Sequence, residues 1–528
     1  MASLITSVSF VIGMNNTNRI IINTAVTYMA LLLRMVISLF SVRLVLQALG
    51  EEDYGVYVIV GGIVALLDIL NSNMSNTSMR YLAYSLGSKK KDDIMVTFNS
   101  TILIHYLIGF LSIIVLEIGG WIMLEFIVNI PQEKIVDARI IYQFMVATTF
   151  ISIIAVPYDA VINAHERIWV LSLFDILHSI ITLGIAVFLL VYQGNRLIMY
   201  GLCLFLLQVL MRILKVSFAK KEFTECQKIQ RKYIDKGRIK GILSFTGWNL
   251  FGSIAGVGAT QLRSIIINYF FGVRLNAAEG VARQVNKPLN MMVTSMTRAI
   301  NPQIMKSEGG EDHNRMKFIV EIGAKYSSFL FALFGIPIFL EAPFIFHLWL
   351  KEVPEYAVAF CQITILCALA EKFTFQLVHA INAVGNIRGL QVSSSIANLI
   401  YLPVAFIFLK IGCSPVFIYY LSFISIILNA TIRLYYGKKI AGIIPIQFVK
   451  QSIVPVLFPL FISFAFTLLL HFYIPSSFIR LFAVIIVFCV SFICLFWYIG
   501  MNYEERNRWL QIFKGLFDKV FHIRNKHE

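Results

Sequence analysis

Apolar runs recur along the whole chain, separated by short polar turns. A helix rises 1.5 Å per residue, so about 20 apolar residues cross ~30 Å of hydrocarbon. About fourteen windows of that kind follow one another, with spans one, two, seven and eight at about 22–48, 55–79, 242–271 and 276–301. The two halves open alike. Span one leads into LGEEDYG (Leu49 to Gly55) and span two ends at Arg80; span seven leads into FGVRLNAAEG (Phe271 to Gly280) and span eight ends at Arg298. Six spans return the chain to its starting side, so the halves are expected as parallel repeats about an axis along the membrane normal. The predicted fold class is all-α: a polytopic membrane protein of about 14 transmembrane helices, with two pseudo-symmetric six-helix lobes and two extra C-terminal helices. The expected segments are an N-terminal tail (1–21), a first lobe (22–217), a basic linker (218–241), a second lobe (242–436), spans thirteen and fourteen (437–500) and a tail (501–528). Trp509, Phe513, Leu516, Phe517, Val520 and Phe521 recur at helical spacing in that tail, with basic residues between them, which predicts an amphipathic helix on the membrane surface.

Polar residues spaced three or four apart within a span fall on one helix face. Such stripes mark the first two spans of each half. Span one carries Asn23, Thr27, Arg34, Ser38 and Ser41, and span two begins its stripe at Asp68 and Asn71. Span seven carries Asn249, Ser253, Thr260 and Arg263; span eight carries Glu279, Arg283, Lys287, Asn290, Thr294 and Arg298, with Pro288 midway. Hydrogen bonding between helices accounts for a lone Ser, Thr or Asn, but not for the charges. A cation at the bilayer centre costs about 2.5–3.5 kcal/mol, so Arg34, Arg263, Arg283 and Lys287 together cost about 10–14 kcal/mol if they face lipid. Asp68 and Glu279 neutralise only two of the four, and these acids are expected to set the rotamers of the cations or to couple to an ion. A water-filled cavity that admits an anionic ligand resolves the remainder. Asp159, the Asp175/His178 pair, and Lys372 with Gln376 and His379 are further in-span polar groups, readable as cavity residues or as satisfied contacts. Arg43, Arg80 and Arg298 lie near enough to span ends to snorkel.

Composition agrees with the pattern. The chain of 528 residues is 58% hydrophobic and 14% charged, and its mean hydropathy of +0.77 excludes an ordinary soluble domain. The net charge of +16 is concentrated in the loops and tails of one side. This reads as positive-inside topology with both termini cytoplasmic, and it requires no nucleic-acid partner. Seven scattered cysteines imply no disulfide framework or zinc site. The first thirteen residues lack the basic region of a signal peptide, and translation could start at Met1 or Met14. No phosphate-binding glycine loop, catalytic triad or metal-ligand cluster is legible, so no catalytic residue, metal or cofactor is assigned and an ATP-independent transporter is the expected class.

The run from Val42 to Asp93, with NIPQEK and PYDAVINAHER (Pro157 to Arg167), resembles the Wzx-type polysaccharide flippases of the multidrug/oligosaccharidyl-lipid/polysaccharide (MOP) exporter superfamily. That resemblance implies two six-helix lobes whose spans one, two, seven and eight face a central cavity. It also implies translocation of undecaprenyl-diphosphate-linked oligosaccharides across the bacterial inner membrane, for O-antigen or capsule assembly, by alternating access. The implied partners are the polyprenyl-diphosphate glycan, membrane lipids and other polysaccharide-assembly proteins, with H+ or Na+ as the coupling ion. The competing readings are a cation-coupled multidrug or metabolite antiporter of the same superfamily, a peptidoglycan-precursor flippase, and a membrane glycan polymerase or acyltransferase.

Overall fold

The computed structural model describes residues 68–88, 91–127, 132–227, 230–350 and 353–511, most of 29–50 and scattered positions from 53 to 61. Among the described residues the ordered structure is helical. Among these residues twelve helices are long and apolar enough to cross a membrane. They are α1 (Met29–Gly50), α3 (Lys91–Ile122), α4 (Ile135–Ala164), α5 (Ile168–Val191), α6 (Arg196–Glu222), α7 (Lys236–Phe271), α9 (His313–Trp349), α10 (Ala357–Val384), α11 (Arg388–Lys410), α12 (Phe417–Ala441), α13 (Pro445–Tyr473) and α14 (Phe478–Gly500). Two more helices take the places expected for spans two and eight: α2 (Asp68–Gly87) and α8 (Val273–Gly309). Both carry many polar residues along their described lengths. The chain is a multi-pass membrane protein, in which those two helices cannot face lipid all round.

Local chemistry sets several helix ends. The Asn195 side chain accepts from the Ile198 backbone N–H at 3.1 Å and starts α6, and Ser477 accepts from Arg480 at 3.2 Å to start α14. Gly385, at φ 101°, closes α10 in the left-handed conformation that lacks a Cβ penalty.

The helices form two compact units. One comprises Ile22–Ile254 with Asn301–Met316, and the other comprises Ala255–Ile300 with Lys317 onward. In the first unit α4 packs on α6, α2 and α3, and α5 packs on α6. In the second, α10 packs on α12 and α11 packs on α12. The 4–6 and 5–6 pairings thus recur as 10–12 and 11–12, an offset of six helices. The second unit also takes in α13 and α14, whose Val456, Leu460, Val484, Phe488 and Phe492 join a core with Phe331, Ile336 and Phe360. A fully buried Glu341 of α9 accepts two bonds from Arg480 of α14, at 2.9 and 3.2 Å, and lies 2.8 Å from His471 of α13. The opposite faces are apolar and open: Phe472 is 77% and Ile479 75% exposed, as suits contact with lipid tails.

The linker 218–241 packs within the first unit, and the division between the units falls inside α7. Hydrogen bonds explain this. The Gln230 N–H donates to Asn99 at 2.8 Å, the Asp235 N–H donates to Ser100 at 3.3 Å, and Glu225 lies 2.6 Å from His165, all within the first unit. The tail likewise does more than rest on a surface. Lys325 of α9 is almost fully buried and donates to Glu505 at 2.6 Å, while Trp509 donates to the Tyr326 hydroxyl at 2.9 Å. Phe513, Leu516, Phe517, Val520 and Phe521 lie outside the described residues.

Candidate anion-binding site

The second unit holds the densest cationic group of the expected cavity set. Helix α7 contributes Thr260, Arg263 and Ser264, and α8 contributes Glu279, Arg283 and Lys287, each one helical turn from the last. Glu279 is 2% exposed, and its Oε1 accepts from Arg263 Nε at 3.0 Å and from an Arg283 terminal nitrogen at 2.8 Å. The same Arg283 nitrogen donates to Ser264 Oγ at 2.7 Å and to the Thr260 carbonyl at 3.3 Å. Arg263 lies over the Tyr419 ring at 4.7 Å, and that ring stacks on Phe360. One carboxylate is therefore shared by two fixed guanidiniums, which leaves one positive charge without an acidic partner among the described residues. Lys287 is exposed and has no partner among the described residues, so it adds a second.

This arrangement suits an anion. The guanidinium of Arg283 is partly open, with a side chain 36% exposed, and it is already held by α7 through its other contacts. A planar guanidinium offers parallel donors to phosphate oxygens, and an ammonium one turn away supplies a movable point charge. Asn290 continues the face, donating to the carbonyl and side-chain oxygens of Asn286 at 3.1 and 3.4 Å.

The remaining expected residues fall into different settings. In the first unit Arg34 donates to Asp175 at 2.8 Å. Arg34 thus has an acidic partner besides those its own half suggested, and Asp175, one turn from His178 on α5, is a satisfied contact. The side chain of Asp68 lies outside the described residues, so a role beside Arg34 is untested. Asp159 is paired with Lys215 at 2.9 Å, Asn71 donates to Ser152 at 3.2 Å, and Asn249 is half-buried on the part of α7 that belongs to the first unit. Arg80 does not snorkel. It is 6% exposed and sits against the Tyr81 and Phe245 rings, each at 4.6 Å, where aromatic faces replace water around the cation. In the second unit Lys372 lies 3.8 Å from Glu371, which also accepts from Arg433 at 3.4 Å. Sequence reasoning missed Asp175 as an ion partner, Ser264, Tyr419 and Arg433, because each comes from a helix distant in sequence or outside the stripes.

Neither the models of known protein families nor the curated proteins match this chain. Solved structures do. It is similar to the MATE transporter VcmN of Vibrio cholerae in its bent form, with a TM-score of 0.69 and 14% identity over 81% of this chain and 97% of that one. It is similar to an outward-facing multidrug resistance MATE family transporter of the MOP superfamily, with a TM-score of 0.68 and 12% identity over 81% and 96% of the two chains. It is also similar to a MOP superfamily transporter from Pyrococcus furiosus, described as having a binding pocket of reverse polarity, with a TM-score of 0.65 and 12% identity over 82% and 97%. Each solved chain is covered almost whole, whereas this chain keeps a surplus about as long as α13, α14 and the tail together. The all-helical, two-unit architecture of this protein is the fold of the MATE transporters of the MOP superfamily.

Proposed function

We propose that this protein moves undecaprenyl-diphosphate-linked oligosaccharide repeat units from the inner to the outer leaflet of the bacterial inner membrane, by alternating access, for O-antigen or capsule assembly. Arg263, Arg283 and Lys287 bind the diphosphate, and Glu279 holds the two arginines in place. The lipid tail remains in the bilayer. Transport is driven by H+ or Na+, both termini are cytoplasmic, and no covalent chemistry is involved. The observation that carries this reading is the single Glu279 carboxylate shared between Arg263 and Arg283, with Lys287, which has no partner among the described residues, one turn beyond. A net positive group of this kind attracts a diphosphate and repels a cationic drug.

The second reading is a cation-coupled multidrug antiporter, favoured by the descriptions of the structural neighbours as MATE and multidrug resistance transporters. The Pyrococcus furiosus neighbour is described as one whose reverse pocket polarity suggests a different function, and the excess of basic charge here supports a similar departure from drug export.

Alanine substitution at Arg34, Arg263, Arg283 and Lys287, with surface glycan scored in cells at matched protein levels, tests the proposal. Hydrogen bonds to charged groups contribute about 1.5–3 kcal/mol, so Arg263→Ala and Arg283→Ala are each expected to weaken cargo binding by roughly ten- to a hundredfold. Unchanged export in all four variants would sink the proposal.

A further inference from the structure

Lys372, Gln376 and His379 share one face of α10, and transport as derived so far uses none of them. Around Lys372 the structure gathers a second group in which cations outnumber acids. Glu371 lies 3.8 Å from Lys372 and accepts from Arg433 of α12 at 3.4 Å. Arg433 also donates to the Thr374 hydroxyl at 3.4 Å, and the Phe375 ring lies 5.5 Å from Lys372 and 5.8 Å from Arg433. His379 meets the same ring at 5.1 Å, and its buried Nε2 has no hydrogen-bond partner among the described residues. All of these residues belong to the second unit.

A guanidinium carries five N–H donors and an ammonium three, far more than Glu371 and Thr374 can fill. At 3.8 Å Lys372 also stands beyond hydrogen-bond distance from the carboxylate. Both cations are largely buried, so little water reaches them to supply the missing acceptors. Glu371, by contrast, keeps 35% of its side chain exposed and marks the open side of the group. One further negative charge neutralises Lys372, Arg433 and Glu371 together, whereas a phosphate monoester, at about −1.5 to −2, exceeds that. A carboxylate matches the deficit. Cys367, one turn before Glu371 on α10, is within electrostatic reach of both Glu371 and Arg263. Four residues rise about 6 Å along a helix, a step comparable to one sugar ring.

We propose that Lys372 and Arg433 form a second anion subsite beside Glu371, which takes the carboxylate of an acidic sugar near the diphosphate end of the glycan. The proposal deepens the transport reading above and rests on it for the nature of the cargo. Saturation-transfer NMR and titration calorimetry of the full-length protein, with methyl glucuronide as the probe and methyl glucoside as its neutral counterpart, test it. Methyl glucuronide should bind and methyl glucoside should not. Lys372→Met and Arg433→Gln, which keep most of the side-chain volume, should each weaken glucuronide binding by about tenfold or more. Glu371→Gln keeps both cations and removes the competing carboxylate, so it should tighten binding; an ion network that only supports the fold gives no such gain. Inorganic diphosphate probes the first site separately: Arg283→Ala should weaken diphosphate binding far more than glucuronide binding, and Lys372→Met should do the reverse. Absence of glucuronide binding in the wild-type protein, equal binding of methyl glucoside, or affinities unchanged in the Lys372, Arg433 and Glu371 variants would overturn the subsite. If glucuronide binds as expected while diphosphate does not bind, the subsite stands and the diphosphate assignment falls. The opposite pair of results removes the subsite and leaves the diphosphate site in place.

Discussion

Replacing Glu279 with Gln keeps the shape of the side chain and removes the one charge that lets Arg263 and Arg283 sit together. In the wild-type protein Glu279 Oε1 lies 3.0 Å from Arg263 and 2.8 Å from Arg283, and the carboxylate is almost fully buried. Removing one partner of a buried ion pair costs about 3–5 kcal/mol, because the other charge is left uncompensated. The Arg263 side chain, 12% exposed, bears most of that cost, while Arg283, 36% exposed, can turn partly to water. The lower end of the range, about 3 kcal/mol, is therefore expected. Thermal unfolding of the purified protein in chloride buffer should show an apparent Tm several degrees lower for Glu279→Gln. Added inorganic diphosphate should restore much of the loss, since it can lie between the two guanidiniums where the carboxylate was, and it should restore far less in Glu279→Gln/Arg283→Ala. A Tm equal to wild type, or a deficit that diphosphate leaves untouched, would refute the idea that the arginine pair is an anion site held open by Glu279.

Further outcomes follow from the same contacts. Lys287→Ala should leave thermal stability unchanged and weaken diphosphate binding, with a shallower salt dependence by titration calorimetry, because Lys287 is exposed and unpartnered among the described residues. Arg34→Ala and Asp175→Asn should each cost about 1 kcal/mol, and the double variant no more than either, as a double-mutant cycle would show for one half-exposed pair. Glu341→Ala strands Arg480 and His471, so proteolysis should cut the α13–α14 pair away from the rest at temperatures where wild type resists. In the linker, burial raises the Glu225 carboxyl pKa, but the hydrogen bond from His165 and other bonds outweigh it and hold the group below its ordinary 4.5. A carboxyl depressed on folding adds stability that is complete above its unfolded pKa and disappears as pH falls through the folded value. Protease protection of 223–235 should therefore be lost on acidification below about pH 4, and Glu225→Gln should remove that dependence.

Helix type was legible because apolar length has no competing explanation at this scale, and twelve helices among the described residues are apolar enough to span, against about fourteen expected. The polar stripes on α7 and α8 were legible for the same geometric reason: Arg263, Glu279 and Arg283 each sit on a helix whose period puts them on one face, and the structure joins all three. Partners from other helices were not. Arg34 meets Asp175 from far along the chain, and nothing local to either residue signals the pairing. Arg80 shows the opposite failure. Its place near a helix end suggests escape to water, but Tyr81 and the distant Phe245 provide an aromatic shelter that depends on tertiary packing. Lys372 has Glu371 beside it in the sequence, but Arg433, which shares that carboxylate, comes from a distant helix. The linker was legible as a basic loop, but its charge gives no sign that its backbone is tied to Asn99 and Ser100.

The central claim is that a net positive group on α7 and α8 receives a lipid-linked diphosphate. Leaflet exchange of a fluorescent polyprenyl-diphosphate oligosaccharide in vesicles containing the purified protein tests it most directly, with H+ and Na+ gradients imposed in turn. Exchange that depends on the protein, falls at least about tenfold in Arg283→Ala and is competed by free diphosphate is the predicted result. Absence of exchange under either gradient, together with uptake of a cationic dye by the same vesicles, would contradict it.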